Sequence, residues 1–170
     1  MINELKIFHK LEIENRWDYI LAKKIANELI EHLNQIEIVE LVKKAHVHNA
    51  NSIDIQNIFL PKAEQLGFIS EKKGLFKDST VSALRPDYFL KIDKNAGIIM
   101  EVERGKTLAN NMDLLDLWKC HICPEANFLF LVVPNMRQTR KVFMAVSKRM
   151  NTFFLEQNFT NVDAVFIFGY

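Results

Sequence analysis

The sequence predicts an α/β fold, with a mixed central sheet of about five strands flanked by helices. Three observations predict it. Two short apolar runs, Leu84 to Ile92 and Ile98 to Glu103, are separated by the polar turn Asp93-Lys94-Asn95-Ala96-Gly97, which reads as a hairpin. A third apolar run, Ala126 to Val133, is closed by Pro134 and follows after a helical length, the spacing of a parallel βαβ unit. Apolar residues recur at three- and four-residue intervals on either side of this block, which supplies the flanking helices.

Taken in order, Met1 to Lys10 is short, and Ile2, Leu5, Ile7 and Phe8 suit a strand or a packed arm. From Glu14 to Asn34 the stripe Trp17, Ile20, Leu21, Ile25, Leu29 and Leu33 predicts a helix, with Lys23, Lys24, Glu28 and Glu31 off the stripe. Ile36 to Ala45 predicts a second helix, broken by His46-Val47-His48-Asn49-Ala50-Asn51. Asn51 or Ser52 can cap a third, ending near Leu66 before Gly67, with Pro61 kinking or dividing it. Gly67 to Ser70, a turn over Glu71 to Gly74, and Leu75-Phe76 read as a strand and turn. Lys77 to Ala83 is a polar loop. Arg104 to Thr107 is a turn without the glycine spacing of a phosphate loop.

Leu108 to Cys120 predicts the next helix, with Asn110, Asn111, Asp113, Asp116 and Lys119 on its polar surface. Phe128, Phe130 and Val132 alternate with Leu129, Leu131 and Val133, a strand buried on both sides. Arg137 to Glu156 predicts a long helix whose basic residues would contact a nucleic acid backbone or simply be solvated, and Val162 to Phe168 a final strand. The expected organisation is an N-terminal helical segment over 1–50 and a core over 51–170, together one domain.

Apolar residues make up 49% of the chain, with 13 Phe, so a substantial core is expected. A net charge of +1 argues against binding driven by charge alone, yet permits a locally basic face. Two cysteines cannot build a disulfide framework. No run of apolar residues is long enough to span a bilayer and no signal pattern opens the chain, so a soluble, cytoplasmic protein without a membrane partner is expected.

The acidic residues stand out against the strand pattern. Side chains alternate along a strand, so Ile98, Met100 and Val102 share one face while Ile99, Glu101 and Glu103 share the other. The two glutamates then point the same way, on the order of 7 Å apart. On the partner strand Asp87 shares a face with Phe89 and Lys91, and a register pairing Asp87 near Glu101 would bring three carboxylates to one patch. Carboxylates that close persist where a cation neutralises them. Oxygen-only ligands on a rigid sheet suit Mg²⁺, which takes one or two carboxylates and keeps its waters. The alternative is that both glutamates lie on the solvent face of an ordinary edge strand.

Pro86-Asp87, thirteen residues, then Glu101-Val102-Glu103 resembles the PD-(D/E)XK signature of the restriction-endonuclease-like nuclease superfamily. The resemblance covers about Leu66 to Pro134 and implies the α-β-β-β-α-β core of that family. Glu103 stands where the family usually has lysine, as in the E-x-E variants among type II restriction endonucleases. The resemblance implies a Mg²⁺-dependent DNA endonuclease in which Asp87 and Glu101 ligate the metal, with the Val102 carbonyl as a further ligand. Glu103 would orient or deprotonate the attacking water, and Lys119 would supply the missing positive charge or be a solvated lysine. It also implies 5′-phosphate products, a homodimer, and a further acid upstream, for which Asp54, Glu64 and Glu71 are candidates.

Two other readings share the fold. One is a DNA-binding protein with an inactive nuclease core, binding through a winged-helix-like region over 36–76. The other is a repair or junction nuclease of the same superfamily. Cys120-His121-Ile122-Cys123 has zinc-like spacing but lacks nearby third and fourth ligands.

Overall fold

The computed structural model describes residues 3–46, 52–73, 75–76, 84–105 and 107–170. In chain order the strands are β1 (Glu4–His9), β2 (Ile69–Ser70), β3 (Tyr88–Lys91), β4 (Gly97–Val102), β5 (Phe128–Val133), β6 (Met136–Arg137), β7 (Arg140–Lys141) and β8 (Ala164–Gly169). The helices are α1 (Trp17–Leu33), α2 (Ile36–Ala45), α3 (Ser52–Gln65), α4 (Met112–Ile122) and α5 (Val142–Thr152). Six strands form one mixed sheet in the order β1-β8-β5-β4-β3-β2, and β6 and β7 form a separate hairpin. The neighbours β8, β5 and β4 run parallel, while β1 on one side and β3 and β2 on the other run antiparallel.

The alternation expected in β4 and β5 is what divides the core. Ile98, Met100, Phe128 and Phe130 face α1, α2 and α3, with Phe166 and Phe168 beside them. Ile99, Leu129, Leu131 and Ile167 face α4 and α5. Every residue of β5 is wholly buried, as its unbroken apolar run predicts for a strand covered on both sides. Phe130 is the hub of the first layer, with ring centroids 4.8 Å from Phe166 and 5.2 Å from Phe168. Truncating it to alanine would cost about 3–5 kcal/mol.

Several sequence expectations change. The sheet has six strands rather than about five, because β1 pairs along its full length with β8. The segment over 1–50 is therefore not set apart from 51–170. Lys10 Nζ and Arg16 Nη1 also bind Asp163, at 2.9 and 2.8 Å. Ile69–Ser70 pairs with β3, and Glu71–Lys73 then forms a 3-10 turn. Leu75 and Phe76 form no strand against it, so the small hairpin of a winged helix is missing among the described residues. Helix α3 runs without interruption through Pro61 and stops before Gly67, whose φ of 94° few side chains tolerate.

Helix α4 begins at Met112 rather than Leu108, after a left-handed Asn111. The long helix expected from Arg137 begins only at Val142, because 136–141 folds as the β6–β7 hairpin with Gln138 at φ 53°. Strand β8 extends to Gly169, past the expected Phe168. Gly97 opens β4 where a Cβ would lie 2.5 Å from the Glu125 carbonyl oxygen, so only glycine fits. Asn51, Lys106 and the loop over 77–83 lie outside the described residues. No helix among the described residues is long and apolar enough to cross a membrane.

Candidate active site

The parallel strands β4, β5 and β8 end together, and in open α/β sheets that carboxyl edge is where ligands bind. Strand β4 lies between β3 and β5, so Glu101 is not on a solvent-facing edge; it is 3% exposed. Tyr88 pairs with Met100, which places Asp87, one residue earlier, beside Glu101. The Asp87 backbone N–H donates to Glu101 Oε2 at 3.2 Å, and Asp87 Oδ2 accepts from the Val102 N–H at 2.8 Å. Gln56 Nε2, from α3, donates to Asp87 Oδ1 at 2.8 Å. The Tyr88 hydroxyl in turn donates to the Gln56 carbonyl at 3.0 Å, fixing the helix against the strand.

Helix α4 covers the other face and brings a cation. Lys119 Nζ lies 2.8 Å from Glu101 Oε1 and 3.0 Å from Asp116 Oδ1. Lys119 is not the solvated lysine of the second reading: its side chain is 19% exposed and held between two carboxylates. Asp113 and Asp116, expected on the polar surface, are both wholly buried. Asp113 is neutralised by Arg149 Nη1 at 3.0 Å, whereas Asp116 shares Lys119, its only cation among the described residues, with Glu101. Asp116 Oδ2 has no hydrogen-bond partner among the described residues.

These contacts set the protonation chemistry. Burial, then the Asp116 charge, pushes the Glu101 carboxyl well above its ordinary value, with Lys119 opposing. Burial likewise pushes Asp116 up to about 6, against the pull of Lys119. Burial raises Asp87 as well, opposed first by the Val102 hydrogen bond. Burial alone would lower Lys119, but Glu101 and Asp116 outweigh it and keep the ammonium charged. Glu103 follows β4, its N–H bonded to the Val132 carbonyl at 2.8 Å and its carbonyl accepting from the Tyr170 hydroxyl at 2.9 Å. Burial, then the charges of Asp116 and Asp87, pushes its carboxyl up to about 7. A carboxyl that titrates at neutral pH is poised to accept a proton there.

Lys119 thus contacts Glu101 and Asp116, and its charge also acts on Asp87 and Glu103. Among the described residues no three His, Cys, Asp or Glu side chains are arranged to hold a metal ion. The pair Asp87 and Glu101 fits a smaller demand. Its donors are all oxygen, its surroundings carry excess negative charge, and the Asp116 oxygen behind it is unsatisfied. That suits a hard divalent cation taking two carboxylates and keeping its water ligands.

Of the upstream acids, Asp54 is exposed on α3 and Glu64 is exposed and paired with Lys73 at 3.1 Å. Glu71 alone adjoins the site: its N–H donates to the Asp87 carbonyl at 3.0 Å, and it lines a cleft with Asp87, Gln56 and Tyr88. The zinc-like spacing builds nothing. Cys120 and Cys123 are buried thiols raised by that burial, and His121 Nδ1 accepts from the Asn161 N–H at 3.1 Å. Gln56 and Asp116 are the members that sequence reasoning missed. Only the Asp116-x-x-Lys119 spacing, one helical turn, offered a signal for the second. Comparisons with models of protein families, with curated proteins and with solved structures found no match.

Proposed function

We propose that the chain is a Mg²⁺-dependent hydrolase of DNA phosphodiester bonds, similar in its site to PD-(D/E)XK nucleases. One observation carries the reading: Asp87 and Glu101 meet at the carboxyl edge of the sheet, the Asp87 N–H lying 3.2 Å from Glu101 Oε2, beside the Lys119 ammonium. Asp87 and Glu101 would hold the ion. Bound there, a divalent cation supplies Lewis-acid polarisation of a phosphoryl oxygen and lowers the pKa of a water. The chain's own groups do the rest. Glu103 accepts the proton of the attacking water, since its carboxyl titrates at about 7. Lys119, held by buried Asp116, orients Glu101 and offsets charge gathering on the phosphate. The resemblance further implies a homodimer, one copy for each strand.

A second reading, DNA binding without cleavage, is favoured by the hydrogen bonds from Gln56 and the Val102 N–H that already occupy one lone pair on each Asp87 carboxylate oxygen. The test is incubation with supercoiled, linear, branched and single-stranded DNA in Mg²⁺ or EDTA, beside Glu101→Ala. Metal-dependent cleavage lost in the variant is the expected result. Preference for branched DNA would assign a junction nuclease, and binding without product would favour the inert core.

A further inference from the structure

Beyond Glu103 the chain turns through Arg104 and Gly105 and forms a small cleft against the β6–β7 hairpin. Arg104, Gly105, Thr107, Arg137, Arg140 and Val142 line it. A Cβ built on Gly105 would lie 3.8 Å from the Arg137 guanidinium carbon, so the hairpin packs directly over the turn that leaves β4. Within the hairpin Arg137 pairs across from Arg140. Like charges directly opposite destabilise a two-stranded pair, and this one has no further strand to support it. Both arginines are exposed, and neither pairs with a carboxylate among the described residues. The turn between them also places Gln138, a non-glycine residue, at positive φ.

An independent observation points the same way. Thr107 is 2% exposed, yet its Oγ1 has no hydrogen-bond partner among the described residues. A buried hydroxyl without a partner costs free energy, and Thr107 lines the cleft beside Arg137 and Arg140, where an entering anion would offer its Oγ1 an acceptor. Planar guanidinium forks match the oxygens of phosphate. Among the described residues Arg16 and Arg149 are each neutralised by an aspartate, whereas Arg137 and Arg140 face the cleft without a carboxylate partner.

We propose that the cleft that Arg104, Gly105 and Thr107 form against the β6–β7 hairpin is a phosphate-binding subsite, formed by Arg137, Arg140 and the Thr107 hydroxyl. Its place directly after Glu103 makes the ligand a backbone phosphodiester next to the one cleaved. That assignment to nucleic acid rests on the function proposed above, whereas the subsite itself does not.

The test is made in EDTA, where no cleavage can occur, so failure of the nuclease reading leaves it interpretable. Binding of a fluorescent duplex is measured by anisotropy across a range of KCl, and stabilisation by inorganic phosphate by thermal unfolding. The full chain, Arg137→Gln/Arg140→Gln and Thr107→Val are compared. The double variant is expected to flatten the dependence of log K on log salt by about 0.9, one phosphate's worth. Thr107→Val changes no charge and keeps its shape, so it is expected to fold at least as stably while binding about tenfold more weakly. If only stabilisation by inorganic phosphate responds to the substitutions, free phosphate is the ligand of the subsite. Weaker binding in the double variant with Thr107→Val unchanged would reduce the effect to general surface charge and overturn the subsite. Absence of duplex and phosphate binding in the unmodified chain would overturn it equally.

Discussion

Replacing Lys119 with methionine tests the electrostatics of the site most sharply. Methionine keeps the packing of the lysine stem but removes the ammonium that lies 2.8 Å from Glu101 and 3.0 Å from Asp116. Both carboxyl groups are almost without solvent, at 3% and 0% exposure, so water cannot take the cation's place. Removing one partner of a buried ion pair costs about 3–5 kcal/mol. The loss depends on pH, because the stranded carboxyls can take up protons instead. A carboxyl whose folded value is raised holds more protons folded than unfolded, so its stabilising contribution is complete at low pH and is lost as pH rises through the folded value. Asp116 titrates at about 6 with Lys119 present, and without it both carboxyls move higher still.

At pH 5 protons replace the ammonium and the cost of Lys119→Met falls to about 1 kcal/mol; at pH 8 it reaches about 3 kcal/mol. Urea unfolding of the unmodified chain and the variant at pH 5, 6.5 and 8 measures the difference. Adding Asp116→Asn to the variant should recover about half of the loss at pH 8. Equal losses at pH 5 and pH 8, or none at either, would refute the reasoning.

Glu103→Gln should abolish the limb of the pH–rate profile with an apparent pKa near 7, leaving rates low and flat between pH 5.5 and 8.5. The same change should stabilise the fold at pH 8 by about 1–2 kcal/mol, allowing for solvent screening, with no gain below pH 4.5. Asp87→Asn should lower metal-dependent cleavage at least about a hundredfold while binding of duplex in EDTA persists, read by gel and anisotropy side by side. Gly97→Ala should cost about 3 kcal/mol or more in urea unfolding, because its Cβ would meet the Glu125 carbonyl at 2.5 Å and the Leu90 carbonyl at 2.9 Å. Tyr170→Phe removes the hydrogen bond to the Glu103 carbonyl and should cost about 1 kcal/mol.

The centre of the sheet was legible because local pattern and final environment agree. Phe128 to Val133 is apolar throughout and is covered on both faces, and Asp93 to Gly97 carries turn chemistry between two apolar runs. The meeting of Asp87 with Glu101 followed from that hairpin register alone. Strand β1 was obscure because its partner β8 lies at the far end of the chain and its alternation, with Glu4 and Lys6 outward, fits an arm as well as an edge. The β6–β7 hairpin reads as helix in the sequence because Arg137-Gln138-Thr139-Arg140 contains neither glycine nor asparagine at the positive-φ position. Asp113 and Asp116 read as polar surface in the sequence because helical periodicity does not record Arg149 and Lys119, the cations that let them be buried. Gln56 had no signal at all: its role depends on how α3 crosses the start of β3.

The most direct test of the central claim is Mn²⁺ or Mg²⁺ titration of the purified chain at pH 6.5, read by calorimetry in two buffers of different ionisation enthalpy. Burial raises the Asp87 and Glu101 carboxyls, and Glu103 beside them titrates at about 7; an entering cation favours the charged form of each, so one bound ion per chain with proton release is the expected result. Binding should vanish in Asp87→Asn/Glu101→Gln. No binding by the unmodified chain, or binding that survives both substitutions without proton release, would contradict the account.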